Sequence, residues 1–248
     1  MNRYSVIAIV ALFAALVALP QSASAYMPSP RHGAVELKFG PHRPDGRAFK
    51  VAGTPYDYGD FFGEKESMFR AELELDWQFA RVDGVMSFGI GFGLGFMREK
   101  DRGFVQSADG TGTLVRSADK TSINVLPLSV LGVIRVDVLS EKLGVPFVPY
   151  FKTGPAWYLW WTKTGGNRDN SGGTLGWQMN PGVAFLLDWI DETTARTFDN
   201  EVGVNNSYLF IELMYAKIDG FGDSGKLNLT PNNIGDNATW FAGLCLEF

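Results

Sequence analysis

The chain has 248 residues, of which 22 are basic and 27 acidic, and its formal net charge is −5. This balance disfavours a binder of nucleic acid or another polyanion. A single cysteine excludes an internal disulfide, and two histidines leave little of the imidazole that hydrolases use as a base. Abundant glycine (29 residues) and aromatic residues (19 Phe, 8 Tyr and 7 Trp) are instead typical of a β-barrel.

The N-terminal segment has the pattern of a secretory signal peptide. Arg3 supplies a positive charge, residues 6–19 are apolar, and the small residues Ala23 and Ala25 precede an expected cleavage site. The alternative, a membrane-anchoring helix, needs about 20 apolar residues, and this run is shorter. We therefore expect residues 1–25 to be removed and residues 26–248 to form a single domain.

Eight later segments alternate apolar and polar residues with the period of two that characterises β-strands. In the clearest one, residues 69–79, the odd positions are apolar and the even positions polar or charged. The fourth segment changes phase, and we expect a bulge near Pro127 to reconcile its halves. The expected strands are residues 33–40, 69–79, 86–96, 121–139, 146–163, 174–187, 209–215 and 239–248.

The segments between these strands alternate between long loops and short turns. This inequality is typical of outer-membrane barrels, which have long extracellular loops and short periplasmic turns. One periplasmic connection, residues 188–206, is long, and Asp191 begins a sequence typical of a helix N-terminus, so we expect a short helix there. The long loops are expected at 42–67, 99–120, 165–172 and 219–237, and the short connections at 81–84 and 140–145.

The last segment keeps an apolar face up to Phe248, which looks like the C-terminal signal of bacterial outer-membrane barrels. The sequence therefore predicts an all-β protein, an eight-stranded antiparallel up-and-down transmembrane β-barrel with long extracellular loops and a short periplasmic helix. A soluble lipocalin-type barrel is the competing fold. The membrane barrel is favoured because aromatic residues lie near strand ends, where interfacial girdles form; these are Trp157, Trp161, Trp177, Trp189, Trp240 and Phe248.

The same alternation predicts which charged residues face the lumen. Opposite charges in a low-dielectric interior are expected to pair, so we favour a salt-bridged plug over a narrow, cation-preferring pore. Glycines 89, 91, 93 and 95 are expected to make room for Arg, Trp and Tyr from the opposite wall. The lumen network is expected to contain Glu36, Lys38, Arg70, Glu72, Glu74, Asp76, Arg135, Asp137, Lys152, Glu212 and Glu247.

No catalytic, metal or cofactor site is expected. His32 and His42 flank the first strand, so we expect surface residues at opposite membrane faces. Cys245 faces inward and is expected to be inert. Residues 219–223 are interpreted as a turn. The first loop is interpreted as a solvated acidic loop, although its carboxylates could bind a divalent cation; they are Asp57, Asp60, Glu64 and Glu66.

Four stretches carry a resemblance to a known family: PFVPYFKTGPAWYLWW, SGGTLGWQMNPGVAFLLDWID, SYLFIELMYAKIDGFG and TWFAGLCLEF. They resemble small outer-membrane β-barrel proteins known mainly from myxobacteria. The resemblance covers most of residues 26–248 and is strongest from Leu126 onward; Pro155 and the Asn-rich loop 227–237 depart from it. It implies an outer-membrane barrel with a cleaved signal, and it implies no biochemical activity.

Together these patterns predict a monomeric outer-membrane protein with a structural or surface-interaction role and an occluded lumen. Its expected partners are outer-membrane lipid and, through the C-terminal strand, the barrel-assembly machinery. We expect no enzymatic activity, no cofactor and no nucleic acid. The alternatives are a narrow channel for small solutes and an enzyme that modifies outer-membrane lipid.

Overall fold

A computed structural model describes residues 31–45, 49–51, 54–56, 58, 67–106, 114–165, 167–223 and 225–248 of the chain. The expected signal peptide, residues 1–25, lies outside these residues. Eight strands form a closed barrel, and two short strands form a separate hairpin. The barrel strands are β1 (Gly33–His42), β4 (Met68–Val82), β5 (Met86–Gln106), β6 (Leu114–Val136), β7 (Phe147–Thr164), β8 (Asn167–Leu186), β9 (Asn206–Lys217) and β10 (Ala238–Glu247); the hairpin is β2 (Phe49–Val51) with β3 (Thr54–Tyr56).

Neighbouring barrel strands are antiparallel, and their order follows the chain until β10 meets β1. Glu36 of β1 lies opposite Cys245 of β10 on one side and Glu74 of β4 on the other. Phe248 completes this seam, because its carbonyl accepts the backbone N–H of Gly33 at 2.8 Å. The expected eight-stranded up-and-down barrel is confirmed. We call the end where β1 begins and β10 ends the terminus end, and the opposite end the loop end.

Three strands, β5, β6 and β8, extend several residues further at the loop end than the alternation predicts. The expected loop 99–120 is wrong in its described part, because β5 continues to Gln106 and β6 begins at Leu114. The expected loop 165–172 is also wrong, because β8 begins at Asn167, close to the end of β7. These extensions have no continuous apolar face, so hydrophobic alternation does not mark them.

The expected bulge near Pro127 is wrong. The pairing of β5 with β6 keeps one register from Asp101 opposite Thr121 to Met86 opposite Val136. Odd residues of β6 therefore face the lumen throughout, including the buried Ile123. The apparent change of phase arises because, near Ile123, the luminal side of β6 is apolar and its outer side is polar. The strand also ends at residue 136, and not at residue 139 as expected.

Two helices lie at the terminus end. The first, α1 (Val138–Glu141), was not expected and is a single turn. A 3-10 turn over Leu187–Trp189 precedes α2 (Glu192–Val202), which confirms the expected helix. The Asp191 carboxylate caps α2 by accepting the backbone N–H groups of Thr193 and Thr194 at 3.0 and 3.1 Å. None of the described helices combines the length and the apolar character that crossing a membrane requires.

Candidate functional site in the barrel lumen

All eleven charged residues expected in the lumen are at most 5% exposed. Alternate residues of a strand point to the same face, so β1 and β4 place six of them inside on adjacent walls. The other walls complete the set from β6, β7, β9 and β10. Asp137 differs from the others, because it lies just beyond β6 as the residue before α1.

Lys152 is the centre of the network. Its Nζ forms ion pairs with the carboxylates of Glu74 and of Glu36, the latter at 2.5 Å. It also lies 3.7 Å from Asp76 Oδ2 and 4.0 Å from Glu212 Oε2. These residues come from β7, β4, β1 and β9, so one ammonium group joins four walls of the barrel.

Lys38 provides a second bridge across the same space. Its Nζ lies 2.7 Å from Glu74 Oε2, 3.1 Å from Glu212 Oε1 and 3.8 Å from Glu36 Oε2. Asn180 also donates its Nδ2–H to Glu212 Oε1 at 2.9 Å. Each buried carboxylate of this group therefore has at least one cationic partner, which offsets the cost of removing it from water.

Arg135 carries the network toward the terminus end. Its Nη2 lies 2.5 Å from Glu36 Oε1 and 3.6 Å from Asp76 Oδ2, and it approaches the Cys245 sulfur at 3.3 Å. The guanidinium carbon also lies 5.8 and 5.9 Å from the ring centres of Tyr150 and Tyr208. The expectation that Cys245 faces inward is therefore correct, and its sulfur contacts a cation.

Glu247 lies in the lumen at the terminus end, among polar and cationic side chains. Gln78 and Asn206 donate side-chain N–H groups to its carboxylate at 2.7 and 2.6 Å, and Tyr208 donates its hydroxyl at 3.2 Å. Arg31 and Arg81 add ion pairs at 3.6 and 3.4 Å. This carboxylate thus has five partners from three separate segments, which are β4, β9 and the residues before β1.

Asp137 is buried beside this cluster. Desolvation, followed by the charge of Glu247, raises the pKa of the Asp137 carboxyl to about 6. Its backbone N–H donates to the Val85 carbonyl, which fixes the β4–β5 turn against the start of α1. The residue therefore lies at the terminus end, just beyond the last residue of β6.

Arg70 marks the boundary toward the loop end. It donates to Glu72 Oε2 at 2.5 and 3.0 Å and to the Tyr158 hydroxyl at 2.5 Å. Its guanidinium lies between the rings of Tyr158 and Phe241, 5.1 and 5.0 Å from their centres. Beyond it the lumen is filled by an apolar cluster, which includes Met68, Met97, Ile123, Val125, Met214, Ala216, Ile218 and Leu229.

His42 is not a surface residue, so that expectation is wrong; His32, in contrast, is exposed. His42 is the last residue of β1 and is fully buried in the apolar cluster, where its Nε2 lies 3.0 Å from the Leu229 carbonyl oxygen. The imidazole is buried because the last loop, residues 219–237, folds back over the barrel and covers it. Thr174 fixes the same loop by donating its hydroxyl to the Leu227 carbonyl.

The glycines of β5 make room for neighbouring strands, and not for Arg, Trp or Tyr from the opposite wall as expected. A Cβ on Gly91 would lie 2.5 Å from Asp76 Oδ1, and one on Gly93 would lie 2.3 Å from Ser129 Oγ and 2.8 Å from Glu72 Oε1. The aromatic residues instead cover glycines elsewhere, as Tyr150 does over its cross-strand partner Gly182.

Three carboxylates come close enough to suggest a metal site. Glu36, Glu74 and Asp76 each have an oxygen within 4.8 Å of the others. However, the Lys152 ammonium already contacts all three carboxylates. A protein cation thus holds the position that a metal ion would take.

The remaining expected residues lie outside the lumen. Residues 219–223 form a turn in which Gly220 and Gly222 have positive φ, as expected. Asp57, Asp60, Glu64 and Glu66 lie outside the described residues. The aromatic residues expected at the membrane interface are on the outer surface, either exposed (Trp157, Trp189, Trp240 and Phe248) or partly exposed (Trp161 and Trp177).

Sequence reasoning missed several participants in the network, among them Arg31 and Tyr208. Arg31 precedes the first strand, so alternation gave no signal for it. Tyr208 is an even-numbered residue of β9, as is the luminal Glu212, so the alternation would have placed it in the lumen.

The closed barrel and its inward charges define a class, the small eight-stranded β-barrel with a filled polar lumen. No protein-family model and no curated protein matches the chain. Among solved structures it is similar to Neisserial surface protein A, with 13% identity and a TM-score of 0.45 over 87% of this chain and 97% of that one.

Two further solved structures are similar. One is Ail, the attachment invasion locus protein of Yersinia pestis, with 10% identity and a TM-score of 0.40 over 88% of this chain and 99% of that one. The other is a major outer membrane protein from Thermus thermophilus, with 13% identity and a TM-score of 0.39 over 87% of this chain and 99% of that one.

Proposed function

We propose that the protein is an integral outer-membrane β-barrel with an occluded lumen and a structural or surface-interaction role. The observation that carries this proposal is the separation of charge from apolar surface. Between Phe69 and Phe79 of β4, and at the same height on the other barrel strands, the charged side chains face inward, whereas the outward positions are uncharged. Exposed outward residues include Leu37, Phe39, Phe69, Leu73, Leu75, Trp77, Phe92, Leu94, Val130, Ile134, Phe151, Leu175, Val183, Leu209, Ile211, Leu213, Trp240 and Leu244.

The height of this apolar belt suits a bilayer. On β4 it extends from Phe69 to Phe79, which is about 33 Å along the strand at ~3.3 Å per residue. With the ~40° tilt of barrel strands this becomes about 25 Å along the axis, the height of the apolar band in outer-membrane barrels. A soluble barrel would expose this surface to water, which monomeric soluble proteins avoid.

The occlusion is supported by two layers of side chains. The ion pairs of Lys152 and Lys38 cross the lumen between opposite walls. Toward the loop end, the apolar cluster beneath Leu229 fills the same cross-section. An eight-stranded barrel has an interior just wide enough for side chains, and these two layers are what we expect of a lumen that excludes hydrated solutes.

A non-catalytic role is supported by the surroundings of His42, whose ring lies among apolar side chains and donates its Nε2–H to the Leu229 carbonyl oxygen. We further propose a monomer that the barrel-assembly machinery inserts through β10. Membership of the small-barrel family known from myxobacteria is proposed on the sequence stretches alone. The loops would provide the contact surface.

Cell fractionation tests the location. We expect the full chain to be recovered in the outer membrane and to migrate faster on a denaturing gel before boiling than after it, because a folded barrel resists detergent. Recovery as a soluble periplasmic protein without a heat-dependent shift would contradict the proposal.

A further inference from the structure

Beyond the apolar belt at the loop end, β5 to β8 carry a group of exposed cations on their outward face. On β5, Arg98 and Lys100 continue the even phase of the lipid-facing Leu94 and Phe96. The carboxylates of this hairpin, such as Glu99, occupy the opposite phase. We call this set the cationic face; it consists of Arg98, Lys100, Arg102, Lys120, Lys163 and Arg168.

The pairing register brings these cations together. Ser122 of β6 lies opposite Lys100 on one side and Lys163 on the other, so the two lysines stand in one row across three strands. Their Cα atoms are therefore about 10 Å apart at ~4.8 Å per strand.

Two cross-strand pairs within the cationic face have like charges. Arg102 lies directly opposite Lys120, and Lys163 lies directly opposite Arg168. Like charges directly opposite each other destabilise a sheet. Within the part of the chain that the structure describes, none of these four residues forms an ion pair with a carboxylate. An external anion would remove this repulsion.

The cationic face adjoins the apolar belt without a gap. Arg98 is two residues, about 7 Å, beyond Phe96, whose ring centre lies 6.5 Å from that of Trp161. The Arg168 guanidinium carbon lies 5.9 Å from the Trp161 ring centre. Along the barrel axis, the order of apolar belt, aromatic residue and cation matches the order of acyl chain, interface and phosphate in a bilayer leaflet.

We propose that the cationic face binds the phosphate groups of a phosphorylated lipid in the leaflet at the loop end. This inference rests on the proposed membrane location, which sets the height of the face above the acyl chains. The net negative charge of the whole chain does not prevent this binding, because salt screens charges that lie more than about a Debye length from the lipid phosphate. The occupant is a lipid, because only a lipid places acyl chains on the belt and phosphate beside the cations.

The test is a lipid titration with the refolded full chain in detergent micelles. Lipid A that carries both phosphates is compared with the same lipid A after dephosphorylation. We expect binding of the phosphorylated form and at least about tenfold weaker binding of the other form. The double variant Lys100→Gln, Lys163→Gln should weaken binding of the phosphorylated form about tenfold to thirtyfold, because each cation near a charged lipid surface contributes about one kcal/mol.

The matched control is the double variant Arg196→Gln, Lys226→Gln, which removes two exposed cations away from the cationic face and should leave binding unchanged. Heat-dependent migration shows that each protein has folded; if the first double variant fails this test, Lys100→Gln alone is measured. The inference would be overturned if both lipids bound equally, or if the Lys100 variant bound the phosphorylated form as tightly as the native protein does. It would also be overturned if inorganic phosphate competed as well as the phosphorylated lipid A. Because the titration is made in micelles, its result is separate from the outcome of cell fractionation.

Discussion

The ammonium of Lys152 shows how single residues hold this lumen together. It compensates buried carboxylates from three other strands. The alternation in the sequence predicts that Lys152 and its partners face the lumen, because it shows which residues of each strand point to the same side. The pairing itself was not predictable, because it depends on register between strands that are distant along the chain, such as β1 and β7.

Replacing Lys152 by Met should destabilise the barrel by about 3–5 kcal/mol, because the buried carboxylates of Glu36 and Glu74 lose a compensating charge. Urea unfolding of the protein in phosphatidylcholine vesicles, followed by tryptophan fluorescence, measures this change. Lys163→Met is the control on the same strand, and its exposed side chain should change stability by no more than about 0.5 kcal/mol. Equal stability of both variants would contradict the central role of Lys152.

At the scale of the element, the strands were predictable only where they meet the apolar belt. There an outward-facing apolar side chain alternates with a luminal one, so the sequence shows a period of two. Beyond the belt, Arg98 to Arg102 alternate cations with acidic residues, and no hydrophobic signal marks the strand. In β6 the apolar Ile123 and Val125 face the lumen, whereas the apolar residues of the belt face outward, and this reversal produced the mistaken bulge.

Gly93 tests how the strands fit together. Gly93→Val should destabilise the barrel by several kcal/mol or prevent folding, because the new Cβ would lie 2.3 Å from Ser129 Oγ and small-to-large changes in a packed interior typically cost about 1–3 kcal/mol or more. Gly132→Val on β6 is the control, since a Cβ there faces outward and meets only the Thr153 carbonyl at 3.7 Å. Heat-dependent gel migration and urea unfolding compare the two. A Gly93 variant as stable as the Gly132 variant would show that the lumen has spare volume beside β5.

At the scale of the whole molecule, the barrel has three levels along its axis. The terminus end contains Glu247 and its partners, the middle contains the lysine-centred ion pairs, and the loop end contains the apolar cluster under the last loop. The polar filling was expected from the sequence, but the apolar level was not, because Leu229 and Ile218 belong to a loop that folds into the lumen. The exposed cations lie outside all three levels.

A planar-bilayer recording of the purified, refolded full chain tests the occluded lumen most directly. A lumen filled at three levels predicts no steady conductance, both for the native protein and for Lys163→Met, which leaves the lumen unchanged. A steady, cation-selective conductance that Glu74→Gln or Asp76→Asn reduces would contradict the occluded lumen and support a narrow channel lined by these carboxylates.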